Sequence, residues 1–221
     1  YVGSRYAVAL NSGTAALHLA LMQANIGPGD EVVLPSLTFV STVHAVMYVG
    51  ARPVFADVRS DTLCICLEDV ARKITTKTRA IIPVHYGGHP CDMEELQQLV
   101  SGKSITIIED AAHACGSSYR GQRIGNISKF TCFSFHAVKN LATGDGGMIT
   151  TNSEEDFKCL MQLRWMGITK DTWGRLEKVT MPNENSQKGY GCYYEVQELG
   201  YKYHMNDLAA ALGLVQLSKL E

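Results

Sequence analysis

Residues 130–151 read FTCFSFHAVKNLATGDGGMITT, and the fold turns on how this stretch is read. Phe130–Phe135 and Met148–Thr151 are short apolar runs of β-forming residues, which predicts two strands. Between them stand Lys139 and a glycine cluster, Gly144, Gly146 and Gly147. Three explanations compete for the lysine: a solvated surface amine, a phosphate-binding loop, or an amine held out to form a covalent bond. A Walker-type loop needs its glycines before the lysine, and here they follow it, so that reading fails. The stretch carries no other charge until Asp145. A lysine that loses solvation becomes a nucleophilic amine able to form a Schiff base.

Outward from this stretch, apolar strand-like runs alternate with helical patterns. Strands are expected at Tyr6–Leu10, Glu31–Leu34, Pro53–Ala56, Ala80–His85 and Ile105–Glu109. Helices are expected at Thr14–Ala24, Thr38–Val49, Glu68–Ile74, Met93–Val100 and roughly Glu154–Trp165. Continuous apolar strands separated by helices predict an α/β fold whose mostly parallel sheet is flanked by helices on both faces. Residues 166–200 have weak periodicity and read as a long functional loop. The end, DLAAALGLVQLSKLE, reads as an amphipathic helix. The start at Tyr1 and the stop inside that helix suggest a piece of a longer protein.

The 221 residues are 46% hydrophobic and 19% charged, with a formal net charge of −2. This suits a globular domain with a sizeable core and gives no reason to expect nucleic acid. The apolar runs are too short to span a membrane, so no membrane partner is expected. The cysteines at 64, 66, 91, 115, 132, 159 and 192 are odd in number and scattered. Reduced thiols in a cytoplasmic protein fit that pattern better than a disulfide framework.

In open α/β sheets ligands gather beyond the carboxyl ends of the strands, and four clusters fall there. NSGTAAL (11–17) turns from strand to helix, where free N–H groups and the helix dipole suit a phosphate; Ser12 and Thr14 add hydroxyls, and an ordinary N-cap would explain them equally. EDAAHA (109–114) places Asp110 straight after a buried strand, as a cap or as the anion for a protonated ring nitrogen. PSLTF (35–39) offers Phe39, a core residue or a flat face for stacking. SFHAVKN supplies Ser134 and Lys139. A phosphate cradle, a carboxylate, an aromatic face and an amine together match one ligand, pyridoxal 5′-phosphate (PLP).

The stretches NSGTAALHLAL, GPGDEVVLPSLTFVST, GARPVFADV, IIPVHYGG, IIEDAAHACGSSYRG, FSFHAVKNLATGDGGMITT, LRWMGITKD and ELGYKYHMNDLAAALG resemble the DegT–DnrJ–StrS aminotransferases. These are PLP enzymes of fold-type I that aminate keto-sugars carried on nucleotides. The resemblance implies a large PLP-binding domain at 1–205, and at 206–221 the start of a helix leading to a small domain that is missing here. It implies that Lys139 forms the Schiff base and moves protons, Asp110 pairs with the pyridine nitrogen and Phe39 stacks on the ring. It also implies that Thr14, Ala15 and Ser134 hold the phosphate, with His113 near the ring oxygen where many members have Gln. Lys202 stands where many have an Asn that reaches the phosphate across a homodimer interface.

The expected reaction is transfer of an amino group from an amino-acid donor, glutamate by resemblance, to a nucleotide-linked keto-sugar. A sugar dehydratase of the same family is the alternative, but those relatives carry His in place of the lysine. A regulator without turnover, or an inactive fragment, is a third. The remaining candidates have plainer readings. HYGGHPC (85–91) has two His and one Cys at spacings a metal could use, yet no second ligand cluster, so no metal is expected. His136 reads as an orienting or packing residue, Cys64 and Cys66 as buried or idle thiols with no partner pair for zinc, and Trp173 and Arg175 as sugar contacts or plain surface.

Overall fold

The computed structural model describes residues 1–168 and 196–220. Seven strands form one sheet, β1 (Tyr6–Leu10), β2 (Glu31–Pro35), β3 (Arg52–Ala56), β4 (Thr78–Ile81), β5 (Thr106–Asp110), β8 (Phe130–Ser134) and β9 (Gly147–Thr151), in the order β1-β9-β8-β5-β4-β2-β3. A small ribbon, β6 (Ser118–Tyr119) with β7 (Gln122–Arg123), stands apart. All neighbours in the large sheet are parallel except that β9 runs against both β1 and β8. The expected mostly parallel α/β sheet is therefore observed.

Period-two alternation decides which face each side chain joins. Val32, Leu34, Ala80, Ile82 and Ile108 pack on one side with α1 (Gly13–Gln23), α2 (Val40–Tyr48) and α5 (Glu154–Leu163). Val33, Ile81 and Ile107 pack on the other side with α3 (Leu67–Lys73) and α4 (Met93–Val100). Both faces are covered, which is why these strands read as unbroken apolar runs. Helix α1 is buried nearly all round, from Ala15 through Leu21, because α2 and α5 pack beside it. Its His18 lies among Tyr48, Tyr201 and Tyr203, with Nδ1 3.3 Å from the Tyr203 hydroxyl.

Two expectations change. The strand expected at Ala80–His85 starts earlier, at Thr78, and its ladder breaks after Ile81. Pro83 has no N–H to give, and pairing resumes only as a bridge between Val84 and Asp110. The terminal helix α6 (Asp207–Leu217) forms and is capped by Asn206, which accepts from Ala209 N–H at 2.9 Å. It does not behave as amphipathic here: only Ala209 is buried, while Leu208 is 81% exposed and Leu212, Leu214 and Val215 are also exposed. Its apolar residues run around the helix rather than along one stripe.

Candidate cofactor site

A cavity of about 360 Å³ opens where β1, β5 and β8 end. Its wall includes Gly13, Thr14, Phe39, Asp110, His113, Ser134 and Lys139. Residues up to 133 positions apart are thus gathered by the carboxyl ends of parallel strands, as the α/β rule requires (Ser12 to Asp145).

At the start of α1, Ser12 is in extended conformation and its Oγ accepts from Ala15 N–H at 3.0 Å. Ala16 N–H is taken by the Ser12 carbonyl. The amides of Gly13 and Thr14 are left at the positive end of the helix, on the cavity wall. This modifies the sequence reading. Ala15 is buried, its amide is committed to the cap and it does not line the cavity, whereas Gly13 does. The glycine is demanded sterically, since a Cβ on it would lie 2.9 Å from Ser134 Cβ. Gly147 does the same from β9, where a Cβ would run into the backbone of Ser12 and Gly13. The two glycines let Ser134, the α1 turn and β9 close on each other.

Asp110 is 5% exposed. Its Oδ2 accepts from the Thr42 hydroxyl at 2.8 Å and its Oδ1 from Ala112 N–H at 3.1 Å. Thr38 Oγ1 lies 2.7 Å from Thr42 Oγ1 behind it. These neutral donors orient the carboxylate without neutralising it, so a cationic ring N–H would complete the set. Phe39 caps α2 without a side-chain bond and is 74% exposed, which leaves its ring face open beside the cavity.

Lys139 sits in the connection from β8 to β9, half-buried, its N–H bonded to the His136 carbonyl at 2.9 Å. Phe135 N–H to Gly146 O (2.8 Å) and Thr143 N–H to Phe135 O (2.9 Å) close the base of this loop. Asn140 donates to the Cys115 carbonyl and ties the loop to the segment after β5. Among the described residues no ion pair holds the Lys139 ammonium. His113 accepts from Gly87 N–H at its Nδ1 (3.3 Å). Partial desolvation, reinforced by the Lys139 charge and opposed by Asp110, holds its ring below the usual histidine range.

Other sequence candidates fall elsewhere. Lys202 does not line this cavity; its ammonium lies 3.4 Å from the centre of the Trp165 ring. His136 lines the wall, exposed. His85 is not poised for a metal: its Nδ1 accepts from Cys91 N–H (3.1 Å) and its Nε2 faces Glu109 Oε2 (2.8 Å). The Cys64 thiol is buried and donates to the His89 carbonyl (3.4 Å), while the Cys66 thiol donates to Glu68 (3.1 Å). The six described cysteines are free thiols. Trp173, Arg175 and most of the long loop lie outside the described residues. Sequence reasoning did not single out Thr42, which donates to Asp110, or Gly13, which lines the cavity. Nothing in a helical Thr marks it until the fold sets it under Asp110.

The model of the DegT/DnrJ/EryC1/StrS aminotransferase family matches residues 1–221. The chain belongs to this family. The spore coat polysaccharide biosynthesis protein SpsC of Bacillus subtilis is 45% identical over 221 residues, covering all of this chain and 54% of that protein. Among solved structures, Spr1654 of Streptococcus pneumoniae in its PMP form is 37% identical, with a TM-score of 0.85 over 100% of this chain and 56% of that one. The same protein has also been solved in a PLP form. The sugar aminotransferase CalS13 of Micromonospora echinospora is 32% identical, with a TM-score of 0.83 over 99% of this chain and 57% of that one. The chain thus spans little more than half the length of these family members.

The donor set fits the cofactor in those PLP and PMP forms. Free amides and a hydroxyl stand at a helix N-terminus, a buried carboxylate with neutral partners lies deeper, and an amine and an open aromatic face complete the wall.

Proposed function

We propose that this chain forms the PLP-binding part of an aminotransferase that moves an amino group from an amino acid, glutamate, to a nucleotide-linked keto-sugar. One observation carries the reading. Lys139 and the buried carboxylate of Asp110 share one cavity with the free N-terminus of α1.

Bound PLP supplies an electron sink for the pair of electrons left when a proton leaves the carbon bearing nitrogen. The residues around it have separate tasks. The amides of Gly13 and Thr14, with the Ser134 hydroxyl, would hold the phosphate. Asp110, kept in place by Thr42 and Ala112, would face the ring nitrogen and keep a proton there. The Phe39 ring would cover one face and exclude water from it. Lys139 would hold the aldehyde end through Nζ and, when free, would take and return a proton at that nitrogen. Lys202 would serve the phosphate of a second copy in a homodimer.

The lysine favours aminotransfer over dehydration, because the dehydrating relatives carry histidine there. The protein purified with PLP should be yellow, and borohydride should fix the cofactor to Lys139, located by peptide mass. Glutamate should then bleach the aldehyde band to that of the amine form. A protein that gains no absorbance with added PLP would sink the reading. A band that ignores amino acids would favour a fold kept without turnover.

A further inference from the structure

Glu109 sits next to Asp110 on β5 but faces the opposite side of the sheet, with its side chain 0% exposed. Its Oε1 accepts from the Thr131 hydroxyl (2.8 Å) and Ser128 N–H (3.1 Å), and its Oε2 meets His85 Nε2 (2.8 Å). The His85 side chain is also 0% exposed. A backbone N–H can only donate, so the bond from Cys91 N–H requires a bare lone pair on His85 Nδ1. The proton of the ring is therefore on Nε2 and points at Glu109. The contact is a neutral imidazole donating to a carboxylate, not an ion pair. A fully buried carboxylate served by neutral donors is a costly element where an apolar side chain would fill the space.

What the costly pair holds is visible from the backbone of His85. Its N–H donates to Asp110 O (3.1 Å), and its carbonyl accepts from Gly88 N–H (3.1 Å). His85 thus joins the end of β5 to the turn Tyr86–Gly88. Gly87 in that turn donates to His113 Nδ1 (3.3 Å). Gly88 packs so closely that a Cβ would lie 2.9 Å from the His113 carbonyl, and its own carbonyl accepts from Ser117 Oγ (2.7 Å). Since Gly87 N–H donates to Nδ1, neutral His113 carries its proton on Nε2, the ring nitrogen left for the cavity that His113 lines.

We infer that Glu109 and His85 are positioning residues, which through the Tyr86–Gly88 turn hold His113 as the Nε2–H tautomer. The use of that tautomer rests on the PLP reading: a donor, not an acceptor, is then presented to the ring oxygen of the cofactor. Glu109 and Asp110 have complementary tasks on the two faces of one strand, one holding the turn and the other meeting the ring nitrogen.

Ring ¹⁵N shifts of selectively labelled histidines test this in the cofactor-free protein, with His113→Asn for assignment. In the parent, His113 should show a bare Nδ1 and a protonated Nε2; the reverse pattern overturns the inference without any variant. His85→Leu should lower the ratio of the two tautomers by about twofold to tenfold, the worth of one hydrogen bond. His85→Gln, whose amide can donate to Glu109 and accept from Cys91, should restore it. Thr131→Val removes one donor to Glu109 without touching the turn. It should lower Tm yet leave the ratio unchanged, so an equal change in Thr131→Val and His85→Leu would reduce the pair to a structural role and overturn the inference. If His85→Leu does not fold, the parent pattern and the rescue by His85→Gln still decide. PLP titration of the same proteins keeps the two readings apart. The expected tautomer results without PLP binding would support the positioning role and remove the cofactor reading. PLP binding with an unaffected ratio in folded His85→Leu would do the opposite.

Discussion

Asp110→Asn separates the chemistry of the site from the stability of its scaffold. The Asn carbonyl can keep the bond from Ala112 N–H. Its NH₂ would point at Thr42, whose hydroxyl can turn to accept while passing its own proton to Thr38, 2.7 Å away. Both side-chain contacts are remade, so cofactor-free stability should stay within about 1 kcal/mol of the parent. What disappears is the negative charge that meets the ring N–H of the cofactor. A hydrogen bond to a charged group contributes about 1.5–3 kcal/mol. At about 1.4 kcal/mol per tenfold, PLP should bind roughly 10- to 150-fold more weakly. Absorbance titration with PLP gives the affinity, and thermal unfolding without PLP gives the stability. An unchanged affinity would refute the pairing of Asp110 with the ring. A loss of affinity matched by a large loss of Tm would show that the charge was serving the fold.

Phe39→Ala should cost little stability, below about 1 kcal/mol, because the ring is 74% exposed. It should still weaken PLP binding by about 0.5–1.5 kcal/mol, read from the same titration, if the ring stacks. Gly147→Ala forces a Cβ into the backbone of Ser12 and Gly13. Thermal unfolding should report a loss of about 2 kcal/mol or more, since neither strand nor helix turn can yield cheaply. His18 is held below its ordinary 6.5 by burial among Tyr48, Tyr201 and Tyr203. Between the lowered value and 6.5 the unfolded chain binds a proton that the native one refuses. Its contribution is therefore fully present above pH 6.5 and is lost as pH falls below it, at up to about 1.4 kcal/mol per pH unit. His18→Gln should flatten that part of the denaturation profile, and an unaltered slope would assign the acid sensitivity elsewhere.

Much of this architecture was legible because its signals are local. The apolar runs at Glu31–Leu34 and Ile105–Glu109 could only be strands covered on both faces, and Met93–Val100 showed its helix by its spacing alone. The Thr78 start of β4 was hidden because Thr78 and Arg79 are polar, and the Pro83 break because proline interrupts a ladder without changing hydropathy. The exposure of α6 was likewise unreadable, since an apolar side chain carries no record of whether a neighbour covers it.

The candidate site divides in the same way. Lys139, Asp110, Ser134 and Thr14 line one cavity and could be named from sequence because each lies at or within five residues of a strand end, and a parallel sheet sends its strand ends to one edge. The tertiary structure alone decided the rest. It moved the free amides to Gly13 and Thr14 by committing Ala15 to its cap, and set Thr42 beneath Asp110 from 68 residues away. It also converted His85 from a possible metal ligand into a neutral donor to Glu109. Strand ends are prescribed by local pattern, whereas hydrogen-bond partners and tautomers depend on which chains the fold brings within 3 Å.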